Sequence, residues 1–288
     1  MLLNGWTEFV EKYGEPISKL LDRGFDVYSL DWRGQGLSSR ALPNREKGHV
    51  NDFSEFVDDL YQLVTSIILP EARQPYILMA HSMGGNISIQ YLHDHPGIFK
   101  KAIFCCPMFD LPAPFWVKKA FGFLAISAKL AGLGGAYIPG RGNWAETPFE
   151  DNNVTSDPER YAHDLALLQS TPSLRIGGPT CSWLNATLKA IKRINSKSFL
   201  EKISIPIMLF SGTADKIVSI PAHHLAAKRL PKCELVTIED GKHELLREAD
   251  AIQEDLWNNV DRFLADNLDS VVNSFHPGCK IGIVEPRG

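Results

Sequence analysis

A serine, an aspartate and a histidine stand in this sequence where they could act together on a carbonyl group. Ser82 lies in the run Ala-His-Ser-Met-Gly-Gly, and Asp215 and His243 follow later in the chain. A serine hydroxyl attacks well only when a neighbouring base removes its proton, and that base needs an acid to fix its tautomer. The order Ser, Asp, His predicts Ser82 as nucleophile, His243 as base and Asp215 as the orienting acid.

Small residues surround Ser82, as a sharp strand-to-helix turn requires. Residues 75–80 form a short apolar run, and a helical pattern follows the serine. Ala80, Gly84 and Gly85 stand where larger side chains would clash in such a turn. We therefore expect a nucleophile elbow, for which the alternative is a glycine turn that merely starts a helix.

Other residues compete for the roles of base and acid. The remaining candidate bases are expected to be structural, and they are His49, His81, His223 and His224. On the strained turn, the side chain of His81 should point away from Ser82. Asp110 follows the strand at residues 101–106 and could reach the same histidine as Asp215. We favour Asp215 because its glycine-flanked loop matches the expected strand-end geometry.

Two backbone amides are expected to stabilise the oxyanion that forms when the serine attacks. One belongs to Met83, the residue after the nucleophile, and the second belongs to a loop after an early strand. Residues 2–8 supply such a loop, and we predict the Trp6 N–H as the second donor. The alternative is a frayed amino terminus with no role in the site.

The elements that would position these residues alternate between strands and helices. Apolar runs at residues 25–30, 75–80, 101–106 and 205–210 are typical of buried strands. The repeated β-α order predicts the α/β class, with a mostly parallel sheet covered by helices on both faces. In such a fold, ligands bind beyond the carboxyl ends of the strands.

The regular β-α order lapses in the middle of the chain, where proline and glycine separate helical patches. This pattern predicts an inserted helical cap at residues 108–199, between core segments at residues 1–107 and 200–269. A loosely held tail is expected at residues 270–288.

Composition restricts the partners and the compartment. The net charge of −4 provides no broad basic field, so nucleic acid is not an expected partner. Five scattered cysteines without C-x-x-C spacing argue against a disulfide framework or a zinc site, and they fit a reducing cytoplasm. The amino terminus lacks a signal-peptide pattern, and lysines interrupt the apolar stretch at residues 113–139. We expect a cytoplasmic protein with no metal, no cofactor and no transmembrane segment.

Part of the predicted cap combines apolar and basic side chains. They are Phe115, Trp116, Phe121, Phe123 and Leu124, with Lys118, Lys119 and Lys129. One interpretation is a cap helix packed on the body. The other is a lid that contacts membrane lipid and passes an acyl chain inward, which would place the protein peripherally at the inner membrane.

Taken together, these motifs resemble the bacterial lysophospholipases and monoacylglycerol lipases of the α/β-hydrolase superfamily, in the group labelled serine aminopeptidase-like. The resemblance lies in residues 5–13, 31–38, 81–85 and 177–184 and in the loops of Asp215 and His243. It implies the α/β-hydrolase fold, a structural role for residues 31–38, and hydrolysis of a lysophospholipid or monoacylglycerol ester through an acyl-enzyme.

Three features depart from the pattern of that family. Ala80 replaces the glycine usual at the front of the elbow, which is sterically harmless. Asn4 stands where a histidine is common before the oxyanion glycine. Relatives place two or three strands before the position of Met1, so we expect those strands to be missing. The alternative function is that of a catalytically impaired or non-catalytic ligand-binding relative.

Overall fold

The strands form a single parallel sheet. The structure is a computed structural model that describes residues 1–265, so the tail predicted at residues 270–288 lies outside the described residues. Within that range the sheet has five strands in the order β1-β2-β3-β4-β5, and each neighbouring pair is parallel. They are β1 (Leu2–Leu3), β2 (Ile77–His81), β3 (Lys101–Cys105), β4 (Ile207–Gly212) and β5 (Cys233–Ile238).

Helices separate every two successive strands of the described range, and the stretch between β3 and β4 is the longest of these connections. Before β3 they are α1 (Gly14–Asp22), α2 (Ser54–Leu63), α3 (Leu69–Glu71) and α4 (Ser82–Asp94). Between β3 and β4 lie α5 (Phe115–Leu130), α6 (Pro158–Ser170) and α7 (Cys181–Ile194). After β4 come α8 (Ile220–Arg229) and α9 (Asp250–Ala265).

Both faces of the sheet are covered. Every residue of β3 and β4 is buried, and successive side chains of a strand point to opposite faces. Such continuous apolar strands are typical of parallel sheets with helices on both sides, so the predicted α/β architecture is confirmed. Register pairs His81 with Cys105, Cys105 with Phe210 and Gly212 with Ile238, which brings the carboxyl ends of four strands to one edge.

The prediction of a regular strand at residues 25–30 is wrong. This segment runs beside β1 and makes one ladder bond, from the Leu2 amide to the Tyr28 carbonyl oxygen at 2.8 Å. Because β1 is only two residues long, it offers too few backbone groups to hold a longer ladder against this segment.

The helices between β3 and β4 differ in how much of their surface is buried. Helix α7 packs on α4 and buries one face that includes Trp183, Ala186 and Ile194. Helix α5 packs along α7, yet Ala125 is its one fully buried residue. The stretch therefore joins the body through α7 and leaves much of α5 in solvent. Within residues 1–265, no helix combines the length and apolar character needed to cross a membrane.

Candidate active site

Ser82 sits at the sharp junction between β2 and α4. Its φ angle is +49°, a left-handed conformation that non-glycine residues adopt rarely and at a cost in strain. The backbone of the preceding loop passes very close by, since a Cβ on Gly84 would lie 2.5 Å from the Asn4 carbonyl oxygen. Only glycine fits at position 84, which explains why a small residue stands two positions after the serine. The predicted elbow geometry is present.

His243 lies against Ser82, in the loop after β5. Its Nε2 is 2.9 Å from Ser82 Oγ, and its Nδ1 is 2.7 Å from Asp215 Oδ2. A carboxylate can only accept, so the Nδ1 proton is donated to Asp215 and Nε2 keeps its lone pair for the serine hydroxyl. The imidazole is buried, at 4% exposure, so this hydrogen-bonded chain is shielded from solvent.

Asp215 lies in the loop after β4, which joins β5 at the same sheet edge. Its Oδ1 accepts from the amides of Ile217 at 2.7 Å and Val218 at 3.2 Å. Burial opposes ionisation, but the hydrogen bond and charge of His243, with these amides, hold the pKa of Asp215 below its ordinary value. The acid is therefore ionised and fixed on both of its oxygens.

The rival acid and bases have other partners. Asp110 forms an ion pair with Lys118. His223 is fully buried, with Nδ1 2.8 Å from Ser211 Oγ and Nε2 2.8 Å from the Pro107 carbonyl oxygen. His49 Nδ1 lies 2.9 Å from Thr180 Oγ1, and His224 is exposed. None of these four side chains is the group bonded to Ser82 or His243.

His81 contacts the predicted base rather than the nucleophile. Its Nδ1 lies 3.1 Å from the Cys105 carbonyl oxygen, which fixes the ring on the side of β3. The ring centroid is 4.7 Å from that of His243. Burial lowers the pKa of His81 to about 4, so this neighbour of His243 is neutral at physiological pH. This position agrees with the predicted structural role of His81.

The loop that precedes Trp6 lies directly against Ser82. A Cβ on Gly5 would lie 3.0 Å from Ser82 Cβ. The flanking amides are occupied, Gly5 N by Glu8 Oε2 at 2.5 Å and Thr7 N by Gln35 Oε1 at 3.3 Å. The Trp6 amide, by contrast, has no acceptor among residues 1–265. The other predicted donor, Met83 N–H, is in the first turn of α4, where amides have no partner within the helix.

Residues 31–38 hold this loop in place. Gln35 Nε2 donates to the carbonyl oxygens of Gly5 at 2.7 Å and Glu8 at 3.1 Å. Trp32 Nε1 donates to the Asn4 carbonyl oxygen at 3.0 Å, and Asp31 accepts from the Val10 amide at 2.9 Å. The segment is thus a brace for the loop, in line with the structural role that the sequence predicted.

One group of potential metal ligands overlaps the site. Single ligand atoms of Cys106, Asp215 and His243 lie within 4.8 Å of one another. Burial, with the charge of Asp215, raises the pKa of the Cys106 thiol well above its ordinary value, so it is protonated and a poor ligand. The other two side chains are already bonded to each other, and their proximity is explained without a metal.

Sequence reasoning missed a buried charged cluster beside the site. It consists of Glu8, Lys12, Asp164, Glu244 and Arg247, each at most 9% exposed. The spacing of Glu8 and Lys12 at i and i+4 was the available signal for one pair. Nothing local in the sequence signals the pair between Lys12 and Glu244, because 232 positions separate them.

Comparison with known proteins places the chain in a family. The sequence profile described as serine aminopeptidase, S33, matches residues 1–250. A probable lysophospholipase L2 from Haemophilus influenzae is 28% identical over 264 residues, which cover 92% of this chain and 82% of the relative. Lysophospholipase L2 from Escherichia coli K12 is 30% identical over 262 residues, covering 86% of this chain and 75% of the relative.

Solved structures agree on the fold. A soluble variant of monoglyceride lipase from Saccharomyces cerevisiae, in complex with a substrate analog, superposes with a TM-score of 0.70 at 21% identity. The match covers 91% of this chain and 86% of the yeast protein. With the parallel sheet, the strand-end residues and the profile match over residues 1–250, we conclude that the chain belongs to the serine aminopeptidase S33 family and has the α/β-hydrolase fold.

Proposed function

We propose that this protein hydrolyses carboxylic esters of lipids, with Ser82, His243 and Asp215 as its catalytic residues. The observation that carries the proposal is the continuous hydrogen-bonded chain from Asp215 through His243 to Ser82, with distances of 2.7 and 2.9 Å. The matches to proteins named lysophospholipase and monoglyceride lipase support a lipid ester as the substrate.

The first half of the reaction acylates the serine. Ser82 Oγ attacks the ester carbonyl carbon while His243 Nε2 takes the hydroxyl proton, and the Asp215 carboxylate stabilises the imidazolium. The amides of Met83 and Trp6 hold the oxyanion of the tetrahedral intermediate. When the intermediate collapses, the carbon–oxygen bond to the alcohol breaks and His243 donates its proton to the leaving oxygen.

The second half releases the acid. Water attacks the acyl-enzyme carbonyl and gives a proton to His243 Nε2. Collapse of the second tetrahedral intermediate breaks the bond to Ser82 Oγ, which takes the proton back. The products are one fatty acid and one alcohol, and every proton is accounted for by side chains of this site.

We assign residues 108–199 to a cap beside this site. Support comes from the ring of Trp183 on α7, whose centroid is 4.6 Å from that of Trp6. Trp6 lies in the loop of residues 4–8 after β1, which we call the oxyanion loop. The cap therefore contacts the loop that carries a proposed donor. Core segments at residues 1–107 and 200–269 contribute the three catalytic side chains.

Helix α5 of the cap is the proposed point of contact with a membrane surface. Phe115, Trp116 and Phe123 are 69%, 71% and 74% exposed, which is unusual for large apolar side chains. Lys119 lies exposed on the same helix, where it would meet anionic head groups, whereas Lys118 is paired with Asp110. Such a surface would deliver a single-chain lipid ester from the bilayer toward Ser82.

Turnover of defined lipids tests the proposed function. The purified protein should release fatty acid from a lysophospholipid or a monoacylglycerol, and Ser82→Ala should abolish the release. A panel of acyl chain lengths and head groups identifies the preferred ester. If the wild-type protein binds these lipids but hydrolyses none of them, the non-catalytic alternative is correct and the proposed function fails.

A further inference from the structure

We infer that Lys12 is a positioning residue whose buried ammonium ties the oxyanion loop to the loop that carries the base. The inference rests on the proposed function, because it assigns Lys12 a part in holding Trp6 and His243 in their working geometry. Lys12 touches neither Ser82 nor His243 and acts through the carboxylates of Glu8 and Glu244.

The ammonium of Lys12 lies among three carboxylates in the interior. Its Nζ is 3.0 Å from Glu8 Oε1, 2.6 Å from Glu244 Oε1 and 3.6 Å from Asp164 Oδ2. Burial alone would favour the neutral amine, but these three charges outweigh it and raise the pKa of Lys12. The side chain is only 10% exposed, so water screens these interactions little.

One of the three carboxylates fixes the oxyanion loop. Glu8 Oε2 accepts from the Gly5 amide at 2.5 Å and from the Tyr13 hydroxyl at 2.6 Å. Burial opposes the ionisation of Glu8, but the charge of Lys12 and these hydrogen bonds lower its pKa below its ordinary value. An ionised Glu8 orients the Gly5 peptide, and that peptide is followed directly by the proposed donor, Trp6.

A second carboxylate belongs to the residue that follows the base. Glu244 is bonded in the chain to His243, and its amide donates to the Val154 carbonyl oxygen at 2.8 Å. Its Oε2 is buried and has no hydrogen-bond partner within residues 1–265, so Lys12 supplies the compensating charge at Oε1. Burial raises the pKa of Glu244 even beside this ammonium. Without Lys12, Glu8 and Glu244 could not both remain ionised in the interior.

The third carboxylate extends the tie to the cap. Asp164 lies on α6, and its Oδ1 accepts from Arg247 Nη2 at 2.8 Å. Removing the Lys12 charge would thus leave three buried carboxylates with one remaining cation among them. The loops on both sides of Ser82 would be expected to shift as the carboxylates repel one another or take up protons.

The variant Lys12→Met removes the charge and keeps an unbranched side chain that is only one atom shorter. We expect kcat to fall by between about 10-fold and 10²-fold with KM changed less than about twofold, because a displaced oxyanion donor acts in the transition state. The matched control is Lys19→Met, since Lys19 forms its ion pair with Glu15, 3.0 Å away on α1. The control should retain wild-type kcat.

Affinity for an alkylboronic acid separates positioning from stability alone. Its tetrahedral serine adduct places an oxygen in the oxyanion hole, so its affinity should weaken in Lys12→Met by the same factor as kcat/KM. Binding of the product fatty acid should stay the same. If Lys12→Met melts at a lower temperature but keeps wild-type kcat and boronate affinity, Lys12 is only a structural residue and the inference is wrong.

A second variant covers the case in which Lys12→Met does not fold. Glu244→Gln keeps the side-chain volume and should reduce kcat in the same direction, by a smaller factor. Where both fold, the double variant should be no slower than Lys12→Met alone, since the two act through one ion pair. A wild-type protein without esterase activity or boronate binding would overturn the proposed function instead. An active wild type with equally active Lys12→Met and Glu244→Gln variants overturns this inference alone.

Discussion

The carboxylate of Asp110 and the ammonium of Lys118 form an ion pair, with Oδ2 and Nζ 2.5 Å apart. The other oxygen of Asp110 accepts from the amide of Leu111 at 2.8 Å. Both oxygens are thereby engaged, Oδ2 by a side chain of α5 and Oδ1 by the amide of the next residue. This arrangement leaves Asp215 as the carboxylate bonded to His243, although Asp110 also follows a strand of the same sheet.

The two acids should differ greatly in their effect on turnover. Asp215→Asn should lower kcat by about 10⁴-fold, because the amide no longer stabilises the tautomer and charge of His243. Asp110→Asn should change kcat by less than a few-fold. Steady-state hydrolysis of a soluble acyl ester measures both. If kcat fell steeply in Asp110→Asn and only slightly in Asp215→Asn, the acid would have been assigned to the wrong residue.

Gly5→Ala tests the contact between the oxyanion loop and the nucleophile. The added methyl group would lie 2.7 Å from Glu8 Oε2 and 3.0 Å from Ser82 Cβ, so the loop must move. We expect kcat/KM to fall by about 10²- to 10³-fold, the typical effect of losing one oxyanion donor. Gly14→Ala is the matched control, because its added Cβ meets no atom within 4 Å among the described residues. Similar turnover in the two variants would contradict the predicted role of Trp6.

Acid should destabilise the fold through its buried histidines. Burial lowers the pKa of His223 from 6.5 to about 4 in the folded protein. Between these values the unfolded chain binds more protons, so stability rises with pH and is lost as the pH falls from about 6.5 to about 4. The difference corresponds to a loss of about 3 kcal/mol in the free energy of unfolding.

Urea unfolding at pH 7 and pH 4.5 measures this loss. The variant His223→Gln lacks the titrating group and should lose less stability across the interval than the wild type. The same substitution at the exposed neighbour His224 serves as the control and should keep the wild-type dependence. Parallel losses in all three proteins would remove His223 as a source of the acid sensitivity.

Contact with lipid vesicles should depend on the exposed face of α5. A double change, Trp116→Ser with Phe123→Ser, should reduce co-sedimentation with anionic vesicles and leave hydrolysis of a short soluble ester unchanged. The control is Leu225→Ser, on α8, where the side chain is 52% exposed. Equal pelleting of both variants, or no pelleting of the wild type with anionic or neutral vesicles, would contradict the interfacial interpretation.

How far the site could be predicted from sequence depended on whether its residues follow strands. Ser82 directly follows β2, and Asp215 and His243 lie in the loops after β4 and β5. Parallel strands bring their carboxyl ends to one edge, so the three side chains could be predicted to meet. The strand expected at residues 25–30 could not be excluded in the same way. Its apolar pattern is that of a strand. The two residues of β1, however, offer too few backbone groups for a ladder of hydrogen bonds with this segment.

Interactions between distant segments could not be predicted. Lys12 and Glu244 are ordinary surface residue types, and only the fold brings their charged groups to 2.6 Å in the interior. The exposure of α5 was likewise undetermined, because its apolar residues occur all around the helix. A buried helix and a lipid-facing helix share that composition.

Covalent labelling with a fluorophosphonate, followed by peptide mapping, tests the central claim that Ser82 is an activated nucleophile. We expect a single adduct, on Ser82. It should form much more slowly in His243→Ala and be suppressed by a lysophospholipid or monoacylglycerol that competes for the site. An unlabelled wild-type protein, or an adduct on a different serine, would contradict the assignment of Ser82 as the nucleophile.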